Sequence, residues 1–450
     1  MTQTPLTSRF VDFAGALDLR EVPDEAVRAA KSAILDWLGV TLAGSAEPLA
    51  GALLAARAGD RGGPSTVVGA GRTASPETAA LVNGACAHAL DFDDYLAEGV
   101  IHGTAPLVAA LLAVAEDRGR TGADLLAAFV AGYEVHAHLS TVLGQPLIHR
   151  GYHPTGVLTH LGTAIGVGRL IGLGPELLAT CLGLAGTQAA GLLASFGTMG
   201  KPLHSGKAAA DAVLSASLAE AGYTGSTSVL DGERGLPVVL TGIDDEQLGA
   251  ELGTRWLVAD NAIKPYAACG AIHASIDAAI RLSRVVDPAR IDRVRCDVSA
   301  VTVRAAAIPR PATGLEAKFS TQYAVASALL SGTSPASHFT DGATGRADVR
   351  ALTERVDLVS TYERITRARV EVTQTDGTRH EDTVDWAKGS PGNPMTGDDT
   401  ARKFLDLAAN RIGPSVAAEV VAFVEGLEKQ SDLRDLAALV RGSEPARADG

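Results

Sequence analysis

Between two strongly apolar helical patterns the chain runs through HALDFDDYLAEGVIHGTAP, residues 88–106, which gathers His88, Asp91, Asp93, Asp94 and His102. Carboxylates and imidazoles lose hydration free energy on burial, so a cluster flanked by buried helices points to a polar pocket whose groups satisfy one another. The competing reading is an acidic helix end and a solvated loop, because Asp favours caps and turns for local reasons. Any fold this chain adopts must do one or the other with these residues.

The flanking patterns are helical. Residues 22–42, VPDEAVRAAKSAILDWLGVTL, form an amphipathic pattern with Pro23 and Asp24 at the start and Gly39 near the end. A second helix is expected over 48–58. SPETAALVNGACAHALDF has Ser75 as N-cap, Pro76 at the first helical position and Glu77 in the first turn, so a helix runs into the cluster. If it persists, His88 and Asp91 share a face. The helix expected over 106–117 is apolar almost all round, and Thr121 and Asp124 open another. His136 and His138 lie on that one, two apart and so on different faces, which suits structural roles better than a metal pair. Hydrophobic residues make up 46% of the chain but aromatics only 4%, which favours closely packed helices over a β-sandwich.

Lys and Arg number 39 against 52 Asp and Glu, a net charge of -13, so a nucleic-acid backbone would be repelled. The opening MTQTPLTSRFVDFAG has no basic region followed by an apolar run, and the most apolar segments are short or interrupted by Gly, Thr and Gln. A cytoplasmic protein without a membrane partner is expected. Cys86, Cys181, Cys269 and Cys296 show neither CxxC nor metal-type spacing and read as small apolar residues.

Two further stretches carry chemistry. GQPLIHRGYHPTGVLTH reads as a loop leading to a helix start, where free backbone N–H groups suit an anion. His153 stands out there, with His149 and His160 as lesser candidates. SFGTMGKPLHSGKAAA places Lys201, His204 and Lys207 at the mouth of an Ala-rich helix, a local cationic site in an acidic protein that suits a small anionic ligand. Exposed lysines at a helix start are the alternative. Neither GxGxxG nor GxxxxGK[ST] is present.

From Ile291 the character changes. IDRVRCDVSAVTV, ERITRARVEVTQTDG and RHEDTVDWA alternate in the β manner, with TDG as a hairpin turn, and helical patterns intervene at 318–330 and 348–355. The expected organisation is mainly α: a large all-helical domain over 1–268, completed by 397–440, and a smaller α+β domain over 269–396. A disordered tail is expected at 441–450.

VNGACAHALDFDD with HGTAP, GKPLHSGKAAADAVLSASLAEAGYTG and KPYAACGAIHASIDAA together resemble the MmgE/PrpD family, as do LDWLGVTLAGS and AKFSTQYAVASALLSG. The resemblance implies that the smaller domain is a lid, that the active site lies in the cleft between domains, and that the protein is a homodimer. It implies no organic cofactor, and small anionic polycarboxylates as substrates. By similarity to the family's motifs, His102, His153, Lys201 and Asp91 are expected to be catalytic. The two histidines would act as acid and base, Lys201 would hold a carboxylate or a developing enolate, and Asp91 would orient His102 or another cation. His204, Lys264, His273, Tyr323 and Tyr95 are expected to bind substrate, and no metal is expected. Tyr95 stands where several members have Thr, and Gly103 replaces a common proline.

The leading expectation is a cofactor-independent lyase, a dehydratase or decarboxylase of a small di- or tricarboxylate working by proton transfer next to a carboxylate. An isomerase or epimerase, like iminodisuccinate epimerase, would use the same proton chemistry. A non-catalytic ligand-binding protein with the same fold is the alternative outside enzymology.

Overall fold

The computed structural model describes residues 4–60, 62–244 and 247–443. The chain divides into two compact units, Met1–Asn261 with Thr396–Gly450, and Ala262–Met395. The second unit therefore starts seven residues before the expected 269, and Lys264 belongs to it.

The first unit is built on the helices Pro76–His88, Thr104–Arg118, Pro154–Ile171 and Gly200–Glu220, of which Thr104–Arg118 and Gly200–Glu220 each pack on the other three. Local chemistry starts two of the unit's helices where the sequence indicates. The Ser75 hydroxyl accepts from the Thr78 N–H, Pro76 follows it, and Thr121 and Asp124 close a full capping box at the head of the Gly122–His149 helix. The abundance of small residues has a packing cause. A Cβ on Gly206 would lie 2.3 Å from the Leu81 carbonyl oxygen, so Pro76–His88 and Gly200–Glu220 approach more closely than larger side chains allow.

Three features differ from expectation. Residues 65–74 form an antiparallel hairpin, Ser65–Val67 with Arg72–Ala74, so the unit is not wholly helical. The hairpin is held from outside: the Thr66 N–H and hydroxyl donate to Glu116, and the Val68 N–H donates to Asn83. Second, the helix beginning at Gly122 continues through Pro146 to His149 where a loop was expected; the proline removes a single ladder bond and the helix ends three residues later. Third, Arg441, the first residue of the expected tail, is tied in, since the Gly71 N–H donates to its carbonyl beside the Gly69 N–H bond to the Val440 carbonyl. Residues 444–450 of the expected tail lie outside the described residues.

The C-terminal helices Gly397–Ile412, Pro414–Glu425 and Arg434–Val440 complete this unit. Lys403 fixes them to it: its Nζ lies 2.6 Å from Asp36, donates to the Phe92 carbonyl at 2.8 Å, and sits 3.8 Å from the Phe92 ring centroid.

The second unit carries a four-stranded sheet in the order Val356–Tyr362, Ile291–Ser299, Ala368–Gln374, Arg379–Val384. The first pair is parallel and the others antiparallel. The TDG turn joins the last two strands as expected, and Ala368–Gln374 alternates buried and half-buried residues. Val356–Tyr362 was missed. It is an edge strand with little buried surface, so its alternation is weak. VTV is not strand, because the Ser299 hydroxyl caps a short helix, Ala300–Ala305. The fold is thus mainly α in two domains. Among the described residues, no single helix is long and apolar enough to cross a membrane.

Replacing Lys403 by Met should destabilise the first unit by about 3–5 kcal/mol, because Asp36 would stay buried without its countercharge. Chemical denaturation checks this, and an unchanged midpoint would contradict it.

Candidate functional site

The Pro76–His88 helix stops at the first residue of the acidic cluster, and the chain turns at Asp91, whose φ of 51° is left-handed. His88 and Asp91 therefore do not share a helical face. The turn buries three aspartates within four residues: Asp91, Asp93 and Asp94 are 5%, 2% and 1% exposed. The pocket reading of this stretch holds over the solvated-loop reading.

Each carboxylate has its own partners. Asp91 receives the Lys201 ammonium at 2.6 Å, a cation as expected for it. Asp93 faces His88 Nδ1 at 2.8 Å and His102 Nδ1 at 3.2 Å. Burial alone would raise its pKa, but these two imidazoles and their hydrogen bonds hold it well below the ordinary carboxylate value. Asp94 accepts from the Thr104 hydroxyl and the Asn261 amide. Burial nevertheless pushes it up to about 7, with Asp36 and Asp93 adding repulsion.

Those partners set the imidazole tautomers. His102 Nδ1 lies 2.8 Å from the Asp94 carbonyl oxygen as well as near Asp93, and both can only accept. Nδ1 therefore carries a proton, which leaves Nε2 as the nitrogen turned to other partners. The same holds for His88, whose Nε2 finds no hydrogen-bond partner among the described residues. Burial, Lys201 and His102 bring the His88 pKa down to about 4 against the pull of Asp93.

His153, at the N-cap of the Pro154–Ile171 helix, stacks on His88 at 6.1 Å and meets the edge of Phe196 at 5.0 Å. Its Nδ1 lies 2.9 Å from His204 Nδ1. Burial first, then Lys201 and the neighbouring histidines, hold His153 well below the ordinary value, so the ring is neutral. Lys201 lies 5.3 Å from the Phe196 ring centroid. The Tyr95 ring is 6.4 Å from that of His102.

Six of the nine expected residues, Asp91, Tyr95, His102, His153, Lys201 and His204, thus gather in the first unit. Lys264, His273 and Tyr323 belong to the second, where all three are buried. There His273 Nε2 faces the Ala268 carbonyl oxygen at 3.1 Å, and the Tyr323 hydroxyl donates to the His338 carbonyl. The lesser candidates stay outside the cluster: His149 is exposed, His160 pairs with Asp211, and the half-exposed Lys207 pairs with the same carboxylate. His88 and Asp93 belong to the site although the expected set omits them. Their five-residue separation matches no helical spacing, and only the turn brings them together.

His136 is fully buried and finds no hydrogen-bond partner for either nitrogen among the described residues, with burial holding it down at about 3. It explains Gly103, since a Cβ there would lie 2.3 Å from His136 Nε2. The donor atoms of His88, Asp91 and His102 lie within 4.8 Å of one another, close enough to share a metal ion. In this structure the cation at Asp91 is the Lys201 ammonium.

Residues 8–248 match the MmgE/PrpD N-terminal domain and residues 266–429 the MmgE/PrpD C-terminal domain. The chain belongs to the MmgE/PrpD family. Its curated relatives include cis-aconitate decarboxylases of Aspergillus terreus, 27% identical over 97% of this chain and 96% of theirs. The Homo sapiens enzyme is 28% identical over 98% and 95%. The cis-aconitate decarboxylase-like protein oryM of Aspergillus oryzae is 28% identical over 97% of both chains. As an MmgE/PrpD member matched over its whole length by these relatives, the protein is an enzyme.

The raised pKa of Asp94 has a consequence for stability. Between its ordinary value of 3.8 and about 7 the folded protein holds a proton the unfolded chain has released, so this group's contribution falls as pH rises through that window. The depressed His88 works in the opposite direction over part of it. Asp94→Asn should therefore gain stability relative to wild type between pH about 4 and about 7, by a few kcal/mol at most. Denaturant titrations of both proteins across that range check this, and a constant difference would refute it.

Proposed function

We propose that the protein decarboxylates a small unsaturated polycarboxylate of the cis-aconitate kind, using its own side chains and no organic cofactor or metal. The observation that carries this reading is the Lys201–Asp91 pair set beside neutral imidazoles. An ammonium in a site shielded from water can exchange one carboxylate partner for another, and a substrate carboxylate would take the position near Lys201. The relatives named as cis-aconitate decarboxylases support the substrate class.

In this reading CO2 leaves from one arm of the substrate. The electron pair shifts through the double bond to the carbon beside another carboxylate, giving an enediolate-like species, and that carbon takes a proton. Lys201 stabilises the developing charge. His153 and His102 are the acid/base groups, with Asp93 holding His102 by Nδ1 so that Nε2 is the nitrogen that exchanges protons. Tyr95, Lys264, His273 and Tyr323 are assigned to substrate binding. A second reading, epimerisation, draws support from the presence of two candidate proton-transfer rings, His102 and His153, whose centroids lie 4.5 and 6.1 Å from that of His88.

Proton NMR in D2O with cis-aconitate, 2-methylcitrate, citrate and iminodisuccinate separates these. The expected result is loss of CO2 from a substrate of the first kind with one deuterium in the product, undiminished by a strong chelator. Deuterium exchange without net loss would instead establish the epimerase. His102→Ala and Lys201→Met should each lower kcat by about a hundredfold or more with folding intact. Wild-type turnover in either would remove that residue from the mechanism.

A further inference from the structure

His153 and His204 meet nitrogen to nitrogen at 2.9 Å, a hydrogen-bond distance. Two bare lone pairs would repel at that separation and two N–H groups would clash. The pair therefore carries one proton between its Nδ1 atoms, and Nε2 is the His153 nitrogen left for a substrate.

The contact is built from several directions. The His153 N–H donates to the Gly191 carbonyl at 3.0 Å and Phe196 meets its ring edge-on. His204 lies in the second turn of the Gly200–Glu220 helix, about one turn beyond Lys201. It reaches His153 across two glycines. A Cβ on Gly191 would lie 3.3 Å from His204 Cγ and Nδ1, and one on Gly156 would lie 3.2 Å from His204 Cβ and 2.8 Å from the Ala190 carbonyl oxygen. The two rings differ in access to water: His153 is 3% exposed, whereas His204 is half-buried. Lys201, His88 and His102 face His153, while Lys201 and His160 face His204, with Asp91 on Lys201 and Asp211 on His160. Burial and Lys201 disfavour a positive charge on both rings, well below the ordinary imidazole range on the deeper His153 and less strongly on the half-buried His204.

We propose that His204 is a positioning residue that acts through His153, holding the charge of the proton that His153 exchanges with the substrate. When His153 Nε2 gains a proton, the Nδ1 proton of His153 passes to His204 Nδ1, leaving His153 neutral and His204 an imidazolium. When Nε2 gives its proton to the substrate carbon, the shared proton returns to His153. One proton is exchanged with the substrate and none is otherwise gained or lost. This rests on the reading of His153 as an acid/base group, and it replaces direct substrate binding as the role of His204.

The test compares wild type with His204→Asn and His204→Ala, labelled with 15N histidine and free of substrate. In wild type, His153 and His204 should take up a single proton together. In both variants the ionisation of His153 should move to lower pH, although Asn can still hydrogen-bond its Nδ1. With cis-aconitate, both variants should lose about tenfold or more in kcat, with little change in KM and an altered pH profile. If His153 titrates identically in all three proteins, or if Asn restores the wild-type kcat and pH profile, the proposal is overturned and His204 only orients the ring. Should His204→Ala not fold, His204→Asn decides alone. If wild type turns over no polycarboxylate, the functional reading fails while the substrate-free titration still decides the histidine pair.

Discussion

Burying three aspartates within four residues is the constraint on which the first unit depends. An ionised carboxylate leaves water at a cost of several kcal/mol unless a partner compensates it. Here the compensation comes from far along the chain. Lys201 reaches Asp91, His88 and His102 bracket Asp93, and Thr104 and Asn261 hold Asp94. Lys403, from the C-terminal helices, takes the Phe92 carbonyl in the middle of the same turn and pairs with Asp36. The turn is stable only when these elements have assembled around it, so folding of the unit and construction of the site are one event.

The same packing gives three identical side chains three different states. Asp93 is held ionised by two imidazoles, Asp94 is pushed towards protonation by a site that supplies only neutral donors, and Asp91 is matched to an ammonium. The histidines divide in a related way. His88 and His102 have their tautomers set by acceptors at Nδ1, whereas His153 shares its Nδ1 with another ring. Neutral imidazoles beside one fixed cation suit the binding of an anion and the movement of a proton without a second strong charge in the site. Gly103 belongs to this arrangement, since the space behind it is filled by His136.

What could be read from the sequence by itself was local or familial. The helix starts at Ser75 and Thr121 follow from side chains that bond backbone groups three residues on, and the TDG turn follows from the conformational needs of a tight hairpin. The Ala-rich and Gly-rich patterns indicated close helix packing, and the family motifs indicated both domains and most of the candidate residues. Tertiary structure decided which partner each group takes. That Asp91 holds Lys201, that Asp93 serves two histidines, that His160 and Lys207 leave the site for Asp211, and that Lys403 supports the turn are pairings between separate elements. The physical reason is one of range: caps and turns are settled within a few residues, whereas a buried charge is settled by whichever groups packing brings to it from anywhere along the chain.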